Sequence, residues 1–203
     1  MGHSDEIKLM CTIISNAKKK DGKPFFMGVG FVRPHTPLIA PQKYFDRFPL
    51  DSIQLPDIRP DDASDTFKHT LNAKEDSRGG IHGNRMHDLL VASHGGDREL
   101  ALRKFIQAYL ASVASVDDLV GQIMEVVDNS SLKDNTIVIF TSDHGWGMGE
   151  KGYLYKNSLW QESTRVPLVC LLYTSPSPRD ATLSRIPGSG WKKKGGGGGG
   201  GGG

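Results

Sequence analysis

The chain has 203 residues, 37% hydrophobic and 24% charged, the proportions of one globular domain or part of a larger one. Its formal net charge of +2 is too small to argue for nucleic-acid binding, and no stretch is apolar for long enough to span a bilayer. The start, Met1-Gly2-His3-Ser4-Asp5-Glu6, lacks the basic and apolar stretches of a signal peptide.

The spacing of Ile7, Met10, Cys11 and Ile14 predicts a helix over residues 5–20, with a basic last turn and a stop at Asp21-Gly22. Phe25-Phe26-Met27-Gly28-Val29-Gly30-Phe31 is a continuous apolar run, expected as a strand covered on both faces. Arg33-Pro34-His35-Thr36-Pro37 follows, where two prolines exclude helix or inner strand, so His35 is expected on a rigid loop just beyond the strand end. Residues 41–96 are aperiodic and rich in Asp, Pro and Gly; they read as a long surface excursion with short helices.

Asp97 is placed to cap a long helix. Leu102, Ile106, Tyr109, Val113, Val116, Val120, Ile123 and Val127 recur in steps of four and three and predict its core-facing stripe. Thr136 to Thr141 is a β-branched run, expected as a buried strand that delivers Ser142-Asp143-His144-Gly145 at its C-terminal end. A glycine-rich loop, a short helix and a further strand ending at Val169 complete the pattern. Strand, helix and strand with polar residues just past the strand ends is what an open α/β sheet offers.

From Cys170 the composition changes. The string Cys170 to Asp180 resembles a translated transposase-type sequencing adapter, Ser184-Arg185-Ile186-Pro187 its outer part, and Gly195 to Gly203 a homopolymer run. Residues 1–169 are therefore taken as the domain and 170–203 as a non-native tail. The tail holds five Lys/Arg and one Asp, so residues 1–169 carry 20 basic and 22 acidic residues, a formal −2. Cys11 is then the one thiol of the domain, expected buried rather than in a disulfide.

Two clusters bear chemistry. Asp143 at a strand tip is a hard oxygen ligand suited to Ca²⁺ or Mg²⁺, with His144 beside it and Lys156 able to set a compact cation against an anion. Taken alone, the same residues read as a turn cap, its partner and a solvated lysine. His35 is either a turn residue or the edge of the same pocket. His69, His82, His87 and His94 read as surface or supporting residues, and Asp61-Asp62 and Asp117-Asp118 as solvated charges. Glu150 and Lys151 lie within reach of a substrate but have no assigned role.

The runs Lys23 to Asp46 and Ile137 to Leu168, around R-P-H-T-P and S-D-H-G-W-G-M-G-E-K-G-Y-L-Y-K, resemble the sulfatases of the alkaline-phosphatase superfamily, nearest the iduronate- and choline-sulfatase-like branch. The resemblance covers most of residues 20–169, most loosely in the middle loop. It implies part of an α/β/α sandwich with a mostly parallel central sheet and a sulfuric ester hydrolase acting on a sulfated small molecule or carbohydrate, with a secreted or periplasmic parent. By position it implies that Asp143 and His144 form half of a divalent-cation site, usually Ca²⁺ with Mg²⁺ as the alternative. Lys156 corresponds to the sulfate-binding lysine and His35 to the histidine that contacts the sulfate or leaving oxygen.

Val32 departs from the pattern, since relatives often have His or an aromatic residue there. The family's nucleophile is a formylglycine made from the Cys or Ser of C/S-x-P-x-R, a motif that does not occur in this sequence. In relatives that motif and the first metal aspartates lie N-terminal to the matched region, so the chain is expected to be an internal fragment, inactive by itself and poorly soluble through an open sheet edge. The competing readings are a phosphatase or phosphodiesterase of the same superfamily and a non-catalytic anion-binding protein.

Overall fold

A computed structural model describes Thr12, residues 24–66 and residues 83–172. The predicted helix over 5–20, Cys11, His69 and His82 lie outside the described residues. The organising element is α3, Arg98–Asp128, 31 residues long, with α1 (Gln42–Phe45) and α2 (Gly83–Ser93) packed against it. Four strands follow: β1 (Ile137–Thr141), β2 (Gly147–Met148), β3 (Leu154–Tyr155) and β4 (Leu168–Leu172), with α4 (Gln161–Thr164) between the last two.

Asp97 caps α3 as expected, its carboxylate accepting from Leu100 N–H at 2.9 Å. This satisfies one of the helix's unpaired N-terminal donors. The predicted stripe is buried at its ends, at Leu102, Ile106 and Val127, but Val113 is exposed. Ala111, Ser112 and Ala114 are buried in its place. A strict four-and-three spacing drifts by about 20° per heptad around an α-helix, so such a stripe cannot face one neighbour over eight turns. Mid-helix, the small residues admit Tyr44 of α1, which packs on Ala111 and Ala114 beside Phe45 and Phe48.

Tyr44 also corrects a reading of the charges. Its hydroxyl donates to Asp118 Oδ2 at 2.9 Å, and Arg47 lies 3.3 Å from the same carboxylate. Asp118 is therefore a helix-docking acceptor rather than a solvated charge, and the Tyr44 hydrogen bond, opposed by partial desolvation, holds its carboxyl below the ordinary value. His87 is likewise buried, with Arg98 Nε donating to its Nε2 at 3.4 Å.

The sheet differs most from expectation. The described strands form two antiparallel pairs, β1 with β4 and β2 with β3, and no parallel pairing occurs among the described residues. Residues 25–31 are not a strand: Phe26 is 98% exposed, and Met27 packs against Val127 and Leu132. An apolar run becomes a strand only where a neighbour takes its N–H and C=O groups, and none of the described strands pairs with it. For the same reason β1 is exposed rather than buried, with Ile137, Ile139 and Phe140 open to solvent. β4 continues across the boundary drawn at Val169, Cys170 pairing with Ile139. Main-chain pairing tolerates almost any β-competent run, so this register does not depend on what Cys170 and its successors encode.

Candidate anion and metal site

His35 and Lys156, about 120 residues apart in sequence, face one cleft of about 190 Å³ that is also lined by Thr36, Trp146, Tyr155 and Asn157. The proline-bounded loop supplies His35. Its two X-Pro bonds are cis, and Arg33 reaches across to the carbonyl oxygens of His35 and Pro37. His35 N–H donates to Val32 O at 2.9 Å, and its Nδ1 lies 2.7 Å from Thr36 O. A carbonyl can only accept, so Nδ1 carries the proton and Nε2 is left available.

Lys156 leaves the end of the β2–β3 hairpin. Tyr155, just before it, has φ of +82°. A bulky residue with positive φ is a genuine outlier, costing on the order of 1–3 kcal/mol, and the surrounding packing must hold it. That packing is visible. Trp146 is buried, its ring 5.3 Å edge-on from Tyr155 and 6.1 Å from Tyr109 of α3. Burial pushes the Tyr109 and Tyr155 hydroxyls up from their usual pKa. The Lys156 ammonium has no hydrogen-bond or ion-pair partner among the described residues.

Asp143 and His144 follow β1 and border the same region, the His144 ring 6.4 Å from Trp146. Asp143 Oδ1 accepts from His144 N–H at 3.0 Å, and its Oδ2 lies 3.5 Å from His144 Nε2. His144 Nδ1 donates to Gly145 O at 2.8 Å, so in the neutral ring Nε2 is an acceptor. Two acceptors thus converge, the arrangement that a shared cation satisfies. Partial desolvation raises the Asp143 carboxyl, but His144, two backbone N–H groups and Lys156 together hold it below its ordinary value of 3.8. Among the described residues no three His, Cys, Asp or Glu side chains gather as a complete metal shell. Asp143 is an oxygen donor of the kind Ca²⁺ prefers, with the His144 ring beside it.

The sulfatase family model matches residues 3–184. The chain belongs to the sulfatase family. It is 37% identical over 158 residues to a sulfatase of Formosa agariphila and 35% identical over 170 residues to iduronate 2-sulfatase of Mus musculus. These alignments take in 77% and 79% of this chain but 29% of each relative, so the chain spans under a third of the sulfatases it matches. In fold it is similar to yidJ of Bacteroides fragilis, with a TM-score of 0.58, 28% identity, and 86% of this chain covering 32% of that one. A further chain, solved in complex with D-glucosamine-2-N,6-O-disulfate, is similar in fold at TM-score 0.56 and 17% identity, 82% of this chain covering 43% of it. The α/β sulfatase-like fold class read from the sequence is thus borne out.

The residues that line the cleft without having been singled out from sequence are Thr36, Trp146, Tyr155 and Asn157. Trp146 carried a usable signal, a large aromatic between two glycines beside Asp143 and His144. Glu150 and Lys151, in contrast, point away from substrate duty. Glu150 accepts from Met148 N–H at 2.6 Å, and Lys151 is bound to Asp62, which is therefore not a solvated charge.

Proposed function

We propose that this chain is part of a sulfuric ester hydrolase and contributes the anion-binding half of its active site. The observation that supports this reading best is the shared cleft of His35 and Lys156, two cationic or donor side chains with Asp143 and His144 beside them. In this reading Lys156 sets its ammonium against a sulfate oxygen, and His35 Nε2 meets the ester or leaving oxygen. Asp143 and His144 hold one side of a divalent cation, Ca²⁺ or Mg²⁺, which when bound polarises the sulfate. Trp146 and Tyr155 exclude water from one wall, so charge stabilisation at Lys156 acts in a lower dielectric.

The substrate class is a sulfated small molecule or carbohydrate, and the formylglycine nucleophile belongs to a C/S-x-P-x-R segment that this sequence does not contain. The chain by itself then binds inorganic sulfate weakly, holds Ca²⁺ weakly and turns over no sulfate ester. A spectroscopic titration of the labelled chain with sodium sulfate tests the first point. Lys156→Ala should weaken binding by about tenfold or more, the loss of one charge-assisted hydrogen bond. Shifts confined to residues away from the cleft, or metal-dependent ester turnover by the purified chain, would overturn the assignment. The sulfatase-like match through Lys156 favours sulfate over the phosphate esters of the wider superfamily, and equal response to phosphate in the same titration would reverse that preference.

A further inference from the structure

The hairpin that presents the cleft turns over at Gly149-Glu150-Lys151-Gly152, where Lys151 sits at φ +55°, ψ +21°. This left-handed conformation disfavours a residue with a side chain. Asp62 engages Lys151 at three points. Lys151 N–H donates to Asp62 Oδ2 at 2.9 Å, and Nζ donates to Asp62 O at 2.6 Å and Oδ1 at 3.2 Å. Asp65 adds a carboxylate 3.7 Å from the same ammonium, and Trp160 lies beneath it at 5.7 Å. Both partners are largely covered, the Lys151 side chain 19% and the Asp62 side chain 27% exposed. The Lys151 backbone bond, opposed by desolvation and reinforced by the ammonium, draws the Asp62 carboxyl below its ordinary value.

Neither residue lines the cleft. The turn, however, is continuous with it through the ladder Gly147 to Tyr155 and Met148 to Leu154, so the setting of Lys151 fixes where Trp146, Tyr155 and Lys156 emerge. Two further bonds grip the same turn, Asn84 Nδ2 to Gly152 O at 2.8 Å and Arg98 to Gly149 O at 3.3 Å. These leave Lys151, the non-glycine residue of the turn with positive φ, to Asp62.

We propose that Asp62 is a positioning residue for the anion cleft, holding Lys151 in its left-handed turn and thereby fixing the hairpin that presents Trp146, Tyr155 and Lys156. The inference rests on the proposed role of Lys156 in binding sulfate, but its test separates the two. Amide hydrogen exchange of Gly149 and Gly152, whose N–H groups bond to Tyr153 O and Gly149 O and not to Asp62, and a titration with sodium sulfate are measured on the full chain and its variants. Asp62→Ala should speed exchange at the turn and weaken sulfate binding, each about five- to thirtyfold. Asp62→Asn keeps an acceptor for the Lys151 N–H and should retain most of both.

The decisive variant is Asp62→Ala combined with Lys151→Gly. Glycine takes positive φ without penalty, so the turn no longer needs its clamp and both readouts should return to near wild type. Should Asp62→Ala alone unfold the chain, the double variant and Asp62→Asn carry the comparison. Unchanged exchange in Asp62→Ala, or no recovery on adding Lys151→Gly, overturns the proposal. A wild-type chain that shows no sulfate response at the cleft overturns the functional reading, while the exchange measurements still decide the role of Asp62.

Discussion

The half of the molecule built on α3 and the half built on β1 and β4 obey the same apolar patterning with opposite results. Around α3, Tyr44, Leu102, Tyr153, Leu154 and Trp146 are buried, and the β2–β3 hairpin is fastened by Asp62, Asn84 and Arg98. Across β1 and β4, Ile137, Ile139, Phe140, Leu168 and Val169 are exposed. The difference lies in partners. Helices satisfy their own backbone and need only a face to pack, whereas strands of strong apolar character become core only when other strands and helices cover them. His35 and Lys156 belong to the first half; Asp143 and His144 stand on the seam between the two.

The largest effects should mark this contrast. Leu102 is fully buried, and its side chain lies against Gly149 in the turn of the hairpin. Leu102→Ala should cost about 2–5 kcal/mol in a denaturant titration, the range for a truncated core leucine. Ile139→Ala, at 62% exposure, should cost under about 1 kcal/mol by the same measurement. Equal losses at the two sites would show that the β1–β4 face is covered in solution, and would erase the contrast.

Gly83 sharpens it from the side of sterics. A Cβ there would sit 2.1 Å from Leu154 O and 2.4 Å from the Tyr153 ring. The first obstacle is backbone, which cannot step aside, so Gly83→Ala should destabilise by roughly 1–3 kcal/mol and shift the hairpin signals near Lys156. Gly28, where a Cβ meets nothing within 4 Å, should accept alanine with little change. A thermal melt of each variant reads this difference directly.

Tyr44→Phe removes one hydroxyl from the α1–α3 contact and leaves Asp118 with Arg47 as its near partner. The expected loss is about 1 kcal/mol, the net worth of a single intramolecular hydrogen bond. Asp118→Asn in the Tyr44→Phe background should then cost less than it does in the wild type, since the two groups share one interaction. Additive losses would place the stabilising effect elsewhere in the helix contact.

Much of the first half was legible in the sequence. The Asp97 cap and the long helix follow from local chemistry; in the other half the strand that delivers Asp143 was legible but its exposure was not, and the R-P-H-T-P and S-D-H-G runs flank the candidate site. What was not legible depends on the partner rather than the residue. Phe25 to Phe31 has the composition of a buried strand, but its state is decided by which strand lies beside it. Asp62 and Asp118 look like solvated acids because their partners, Lys151 and Tyr44, are 89 and 74 residues away. Lys151 lay within reach of a substrate with no role in the sequence, because the residue that holds it, Asp62, is visible only in the fold.

The smallest effect should be the response to acid. Asp62 and Asp118 both have carboxyls below the ordinary 3.8, chiefly through the Lys151 N–H for the first and the Tyr44 hydroxyl for the second. A carboxyl lowered on folding contributes stability that is complete above its unfolded pKa and is lost as pH falls through the folded value. Melting temperature should therefore be flat in this respect from pH 7 to about 5 and decline below about 4. The decline should be shallower in Asp118→Asn, which has no proton to take up at that position. Asp143 is lowered as well, by His144, its neighbouring amides and Lys156 against its own desolvation, so Asp143→Asn should also make the acid limb shallower. A steeper dependence on Asp143 than on Asp118 would mean that the seam, and not the helix contact, is where protonation loosens the fold.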